Sequence, residues 1–231
     1  MSESEVLSPL SAPGADVVSD EAASASAPTP ARKRPKPGER REQILQALAA
    51  MLEKPGAERI TTAALAAHLG VSEAALYRHF ASKAQMFEGL IEFIEQSVFT
   101  LVQQIVGRDV PEEERPAVDG MRQASRVISL VLQFGERNPG MVRVMVGDAL
   151  VFENERLSAR MNQFFDKIES QLRQCLRAAA ERSGSQTPTV DANGRASALT
   201  ALAVGRLQRY TRSGFKRSPT EQIELALGLL T

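Results

Sequence analysis

The chain has 231 residues, 43% of them apolar and 5% aromatic, and its 28 Lys+Arg balance 28 Asp+Glu. A single cysteine, Cys175, excludes a disulfide framework or a Cys-rich zinc centre within one chain. The zero net charge excludes a uniformly basic, histone-like binder, yet the charge is sorted along the chain. Residues 1–31 hold five acids (Glu3, Glu5, Asp16, Asp20, Glu21) and no base, residues 32–83 hold ten bases and five acids, and residues 84–231 hold eighteen of each. Such asymmetry between segments points toward nucleic acid.

Residues 1–31 contain seven Ala, seven Ser and four Pro. That composition buries too little apolar area to offset chain entropy, so a disordered acidic tail is expected. Arg32-Lys33-Arg34-Pro35-Lys36-Pro37 completes a first segment, 1–37. It reads either as a solvated linker or as a basic arm along DNA phosphates, with Arg34 and Lys36 as candidate contacts. No apolar run approaches the roughly 18–20 residues needed to span a bilayer, and the N-terminus lacks a secretory pattern. The chain is therefore expected in the cytoplasm.

From Glu39 the pattern is helical, with Ile44, Leu48, Met51 and Leu52 on one face until Pro55-Gly56. A short helix capped by Thr61 or Thr62 runs to Gly70, with Leu65 and Leu69 inward. Ser72 caps another over Glu73–Phe80. Ser82 with Gln85 makes a capping box for a long helix toward Val106, and an acidic loop (Pro111–Pro116) follows. Helical patterns resume at about 120–137, 139–152, 154–182, 191–214 and 219–230. Long alternating strand patterns are absent, so the fold class is all-α.

The stretch from Ile60 to Phe80 carries the function. Two short helices joined by Gly70-Val71-Ser72 have the anatomy of a helix-turn-helix. Ala63, Ala66 and Ala67 let the helices approach, and Leu65, Leu69, Val71 and Leu76 supply their shared core. A plain αα-hairpin would satisfy the same pattern. The DNA-binding reading gains from Tyr77, Arg78, His79 and Lys83, which lie in the +5 segment. Tyr77 and Lys83 suit phosphates, Arg78 a phosphate or guanine edge, Ser72 the backbone, and Ala74 and Ala75 a close approach to base edges. The second helix, about 13 Å long at 1.5 Å per residue, fits one major groove.

These residues (Ile60-Thr61-Thr62, Leu65-Ala66, Leu69 to Ser72, Leu76 to Phe80 and Ser82-Lys83) resemble the signature of TetR-type regulators. The resemblance implies a three-helix reader over 38–83 and a helical dimerisation and partner-binding domain over 84–231. It nominates Thr61, Thr62, Ser72, Glu73, Ala74, Ala75, Tyr77, Arg78, His79 and Lys83 as contacts to double-stranded DNA. Further blocks resemble the nucleoid occlusion branch of that family: Val71–Phe80, Met86-Phe87 with Leu90–Glu95, Phe134–Gly140, and Gln163–Phe165 with Glu169–Gln174. That likeness implies a nucleoid-associated homodimer on palindromic chromosomal sites that blocks assembly of the division protein FtsZ. Phe93, Arg137 and Asn138 match its partner surface, while Leu101 and Gln133 depart from it, standing where an arginine and a glycine are expected. The alternative is a TetR-type repressor released by a small-molecule inducer.

The remaining candidates have plainer explanations. His68 and His79 lack companion ligands at metal spacing, so neither a metal site nor a cofactor is expected. No catalytic constellation is present, and neither a membrane partner nor a small-molecule ligand is expected. Cys175 sits in a helical run and reads as packed or half-exposed rather than as a nucleophile. Gly135 and Gly140 flank a helix break. Arg156, Arg160, Arg173 and Arg177 alternate with acids and read as i,i+4 solvent pairs. The apolar faces of Leu199, Leu202, Ala203, Leu207 and Tyr210, and of Ile223, Leu227 and Leu230, fit plain core; the TetR likeness implies instead that they meet a second subunit.

Overall fold

Ile44, Leu48 and Leu52 recur every four residues, and this spacing turns one face of the first helix, α1 (Glu39–Leu52), into the core, each 1% exposed. In the computed structural model the described residues are 38–54, 59–107 and 120–230. The acidic tail, Arg34 and Lys36 of the basic arm, and the acidic loop at Pro111–Pro116 lie outside them. After α1 come α2 (Thr62–Leu69), α3 (Glu73–Tyr77) and α4 (Lys83–Val106). Ser82 Oγ accepts from the Gln85 amide at 3.2 Å, and Gln85 Oε1 accepts from the Ala81 amide at 2.8 Å. The capping box thus forms, its return bond landing one residue ahead of the cap.

The body consists of α5 (Gly120–Arg137), α6 (Pro139–Met145), α7 (Glu155–Arg182), α8 (Pro188–Arg212) and α9 (Ile223–Gly228). No strand occurs among the described residues, and the fold is all-α. The long α7–α8 hairpin is the most extensive helix pair, and α5 packs against both. Val127 and Leu132 of α5, Phe164 and Leu172 of α7, and Leu199 and Leu207 of α8 have no exposed surface.

Several boundaries differ from those read in the pattern. The run after Pro139 breaks because Gly147 turns left-handed at φ 86°, leaving a short 3₁₀ turn at Asp148–Leu150. Helix α8 starts at Pro188 rather than near 191. Proline suits a first helical position, and Asp191 draws in the Ser185 and Thr187 hydroxyls ahead of it. Helix α3 stops at Tyr77, where the amides of His79 and Phe80 both turn back to the Leu76 carbonyl.

Packing corrects three expectations. Only Ala66 of the three alanines lies in the hairpin core; Ala63 and Ala67 are exposed. Arg156 and Arg160 do not form pairs along α7. They reach across to Glu88 (2.5 Å) and Glu95 (2.6 Å) of α4, because α7 runs beside α4; Arg177 alone makes an i,i+4 pair, with Glu181. Leu199, Ala203, Leu207, Tyr210, Ile223 and Leu227 are buried within the chain, so these faces are core rather than a free surface for another subunit. Gly135 and Gly140 flank the break between α5 and α6, as read from the sequence, and both also serve close approach. A Cβ on Gly140 would stand 2.0 Å from the Ala49 carbonyl oxygen of α1, and one on Gly135 would stand 2.5 Å from Leu207. Cys175 is buried, which decides for packing over half-exposure.

Candidate nucleic-acid interface

The α2–α3 hairpin is held by local bonding. Thr61 Oγ1 accepts from the Ala64 amide at 3.1 Å and Ser72 Oγ from the Ala75 amide at 3.3 Å, so each helix has a side-chain cap. Between them Gly70 sits at φ 64°, a conformation that a Cβ disfavours. Its amide and that of Val71 return to the carbonyls of Ala67 and Ala66. Thr62 Oγ1 donates to the Glu73 carboxylate at 2.6 Å, joining the first residues of the two helices directly.

The hairpin is anchored by Leu65, Ala66, Leu76 and Phe80, all buried. With Leu76 pointing inward, Ala74, Tyr77, Arg78 and His79 remain exposed and Ala75 half-buried. Tyr77 keeps 46% of its surface in water, unusual for an aromatic beside a complete core. The structure therefore brings together on one short segment the aromatic hydroxyl, the guanidinium, the imidazole and the small side chains nominated from the sequence. Thr61, Ser72 and Glu73 lie at the entrances of the same two helices, Thr61 and Ser72 through their caps. Their hydroxyl oxygens already accept one backbone bond each and retain a proton to donate.

Three nominated residues, Thr62, Glu73 and Lys83, have internal side-chain partners. Lys83 pairs with Glu153, from the turn before α7, and both side chains are largely covered. The Thr62 hydroxyl proton is committed to Glu73. Arg41 was missed by pattern reading. It extends from α1 with its guanidinium 4.4 Å from the Phe80 ring centroid, adding positive charge beside the end of α3. The signal available was its place in the basic segment. The two histidines are both exposed, and among the described residues no group of three metal-ligating side chains gathers.

The second nominated surface lies on the body. Phe93 on α4 is 48% exposed and Leu101, two turns further, is 41% exposed, on a helix whose other face is core. Arg137, the last residue of α5, is exposed. Asn138 is half-buried and donates through Nδ2 to the Phe134 carbonyl at 2.8 Å, closing the corner between α5 and α6. Behind it, Glu136 accepts from the hydroxyls of Ser218 and Thr220, and the Tyr210 hydroxyl donates to the Glu136 carbonyl at 3.3 Å. Burial, then the charges of Glu136 and Glu53, push the Tyr210 phenol above its usual value.

Residues 44–90 match the bacterial regulatory proteins of the tetR family, and residues 119–231 match the SlmA-like, tetracyclin repressor-like C-terminal domain. The chain is 53% identical over 186 residues to the nucleoid occlusion factor SlmA of Photobacterium profundum, covering 80% of this chain and 90% of that protein. It is 51% identical over 197 residues to the SlmA of Vibrio vulnificus, covering 85% and 96%. Among solved structures, the regulator FadR from Bacillus subtilis in complex with stearoyl-CoA superposes with a TM-score of 0.62 at 15% identity, covering 82% of this chain and 96% of that one. The TetR family regulator PfmR from Thermus thermophilus gives 0.63 at 19%, covering 82% and 94%. At these identities the likeness is one of fold. With half of its residues identical to theirs over four-fifths of its length, the chain belongs to the SlmA nucleoid occlusion factors of the TetR family.

Proposed function

We propose that two copies of this chain bind a palindromic chromosomal site and, from the nucleoid, restrain assembly of the division protein FtsZ. Residues 38–83 read the DNA and residues 84–231 dimerise and meet the partner. The observation that carries the DNA reading is the exposure of Tyr77, Arg78 and His79 on a capped helix that buries Leu76 beneath them. Two such helices enter successive major grooves, about 34–36 Å apart. Arg78 supplies base or phosphate contacts and Tyr77 a phosphate contact. Arg34, Lys36 and Arg41 add a salt-dependent share. Lys83 contributes only after exchanging Glu153 for a phosphate.

The faces expected to form the dimer are occupied within the chain, so a different face of α8 takes that role. Val190, Gly194, Ser197, Ala198 and Ala201 recur every three or four residues along the exposed side of α8. Small residues in that register let a partner helix come close. FtsZ meets the body at Phe93, Arg137 and Asn138. Leu101, where an arginine was expected, makes this face more apolar.

Co-sedimentation of FtsZ polymers with the purified protein tests the proposal. Pelleted polymer should fall when the protein carries a cognate duplex, and Arg137→Glu should remove this effect while sparing DNA binding. A pellet that stays constant at saturating protein and duplex would sink the FtsZ half of the reading and favour an inducer-released repressor.

A further inference from the structure

A basic hollow of about 240 Å³ lies where the end of α8 meets the segment that follows it, faced by Arg206, Arg209, Arg217, Ser218, Glu221 and Gln222. We infer that it binds a phosphoryl group, as a site separate from the DNA reader.

The hollow is built rather than incidental. Arg206 Nη1 donates to the carbonyls of Pro219 (3.1 Å) and Glu221 (2.6 Å), which fixes its guanidinium against the far wall. Ser218 and Thr220 donate to the carboxylate of Glu136, so that wall is tied to α5. Two non-glycine residues with left-handed backbone bracket the segment, Phe215 at φ 63° and Gln222 at φ 51°. Strain of this kind persists only where surrounding contacts enforce it. At Phe215 the enforcing contacts are the Tyr210 ring, 5.1 Å away edge to face, and the Arg143 guanidinium at 5.2 Å.

The charge balance names the ligand. Three arginines face one acid, Glu221, a net of 3 − 1 = +2. Among the described residues neither Arg209 nor Arg217 has a carboxylate partner. The nearby Glu136 carboxylate is engaged by two hydroxyls. Guanidinium forks match the oxygens of a phosphoryl group, and a net of +2 matches a phosphate dianion better than a single carboxylate. The volume admits inorganic phosphate or pyrophosphate. The same chemistry is offered by a free phosphorylated small molecule and by a phospholipid headgroup.

The test uses the full chain, with inorganic pyrophosphate as probe in calorimetry at low ionic strength. Saturable binding is expected. Arg209→Ala and Arg217→Ala should each weaken it roughly tenfold, the scale of one charged hydrogen bond. Their combination should abolish it, and Arg173→Ala on α7 should leave it unchanged. Ligand-free melting and cognate duplex binding should be unaltered in all variants, which separates failure here from failure of the DNA reading. Flotation with phosphatidylglycerol vesicles, against phosphatidylcholine alone, distinguishes the sources. Pyrophosphate binding without flotation assigns a free phosphate, and flotation lost in the double variant assigns a headgroup. No saturable binding to either probe, or binding that survives the double variant, overturns the inference.

Discussion

Thr62 donates to Glu73 at 2.6 Å, and this one bond spans the turn to lock the first residue of α2 to the first residue of α3. It has two opposed effects. It ties the starts of the two helices together, and it leaves a carboxylate beside the residues proposed to read DNA. Glu73→Ala should therefore change stability by less than about 1 kcal/mol, because the pair is exposed. It should raise affinity for a scrambled duplex by roughly fivefold, the scale of one screened charge contact. Fluorescence anisotropy on cognate and scrambled duplexes checks this; unchanged affinity for the scrambled duplex would refute it.

Tyr77→Ala and Arg78→Ala should each cost about 1–3 kcal/mol of cognate DNA binding. Sedimentation and melting should be unaffected, since both side chains are exposed. Leu76→Ala makes the contrast: it should lose about 2–4 kcal/mol of folding stability. Specific binding that survives both surface changes would show that α3 is not the reader.

Gly140→Ala puts a methyl group 2.0 Å from the Ala49 carbonyl. Backbone cannot yield as a side-chain tip does, so α1 and α6 must separate, at a cost of about 1–3 kcal/mol. Chemical denaturation measures the loss. A variant as stable as the parent would mean that the two helices slide without cost.

Ala201 lies on the exposed stripe of α8, away from the core. Ala201→Arg should convert dimer to monomer in analytical ultracentrifugation while keeping the helical circular dichroism. A dimer that persists would move the subunit contact to another face.

The Tyr210 phenol is held above 10.0, first by burial and then by Glu136 and Glu53. A raised pKa means that the folded state binds the proton more tightly. Its stabilisation is therefore complete below about pH 10 and is lost as pH climbs through the folded value. Tyr210→Phe should cost about 0.5–1.5 kcal/mol at neutral pH for the lost hydrogen bond, and should flatten the alkaline fall in stability. Denaturation curves at neutral pH and on either side of pH 10 decide it. An identical alkaline slope in both proteins would contradict the assignment.

What pattern reading captured was local. Thr61, Gly70, Ser72 and Ser82 act on backbone groups within five residues, so their roles were visible in the sequence. So was the outward side of Tyr77, Arg78 and His79, because Leu76 as part of the hairpin core fixes which side faces inward. What it missed was long-range. Glu153 lies seventy positions beyond Lys83, and Glu95 sixty-five before Arg160, and no helical period reports such pairs. The buried face of α8 carried the right chemistry for a subunit contact and was taken by α5 and α7 instead. Apolar periodicity reports that a face is covered, not by which chain. The close approach of Gly140 to Ala49 was equally hidden, because the two are distant in sequence.

The bonds from Ser218 and Thr220 to Glu136 cross more than eighty positions. During synthesis the reader, whose caps are all local, has every partner it needs long before residue 218 leaves the ribosome. The last turn of α5, next to Arg137, waits for that moment. A chain stopped short of Ser218 would hold a finished α2–α3 hairpin beside an unfinished α5–α6 corner. On the proposed function, it would occupy chromosomal sites without reaching the partner, and compete there with complete copies.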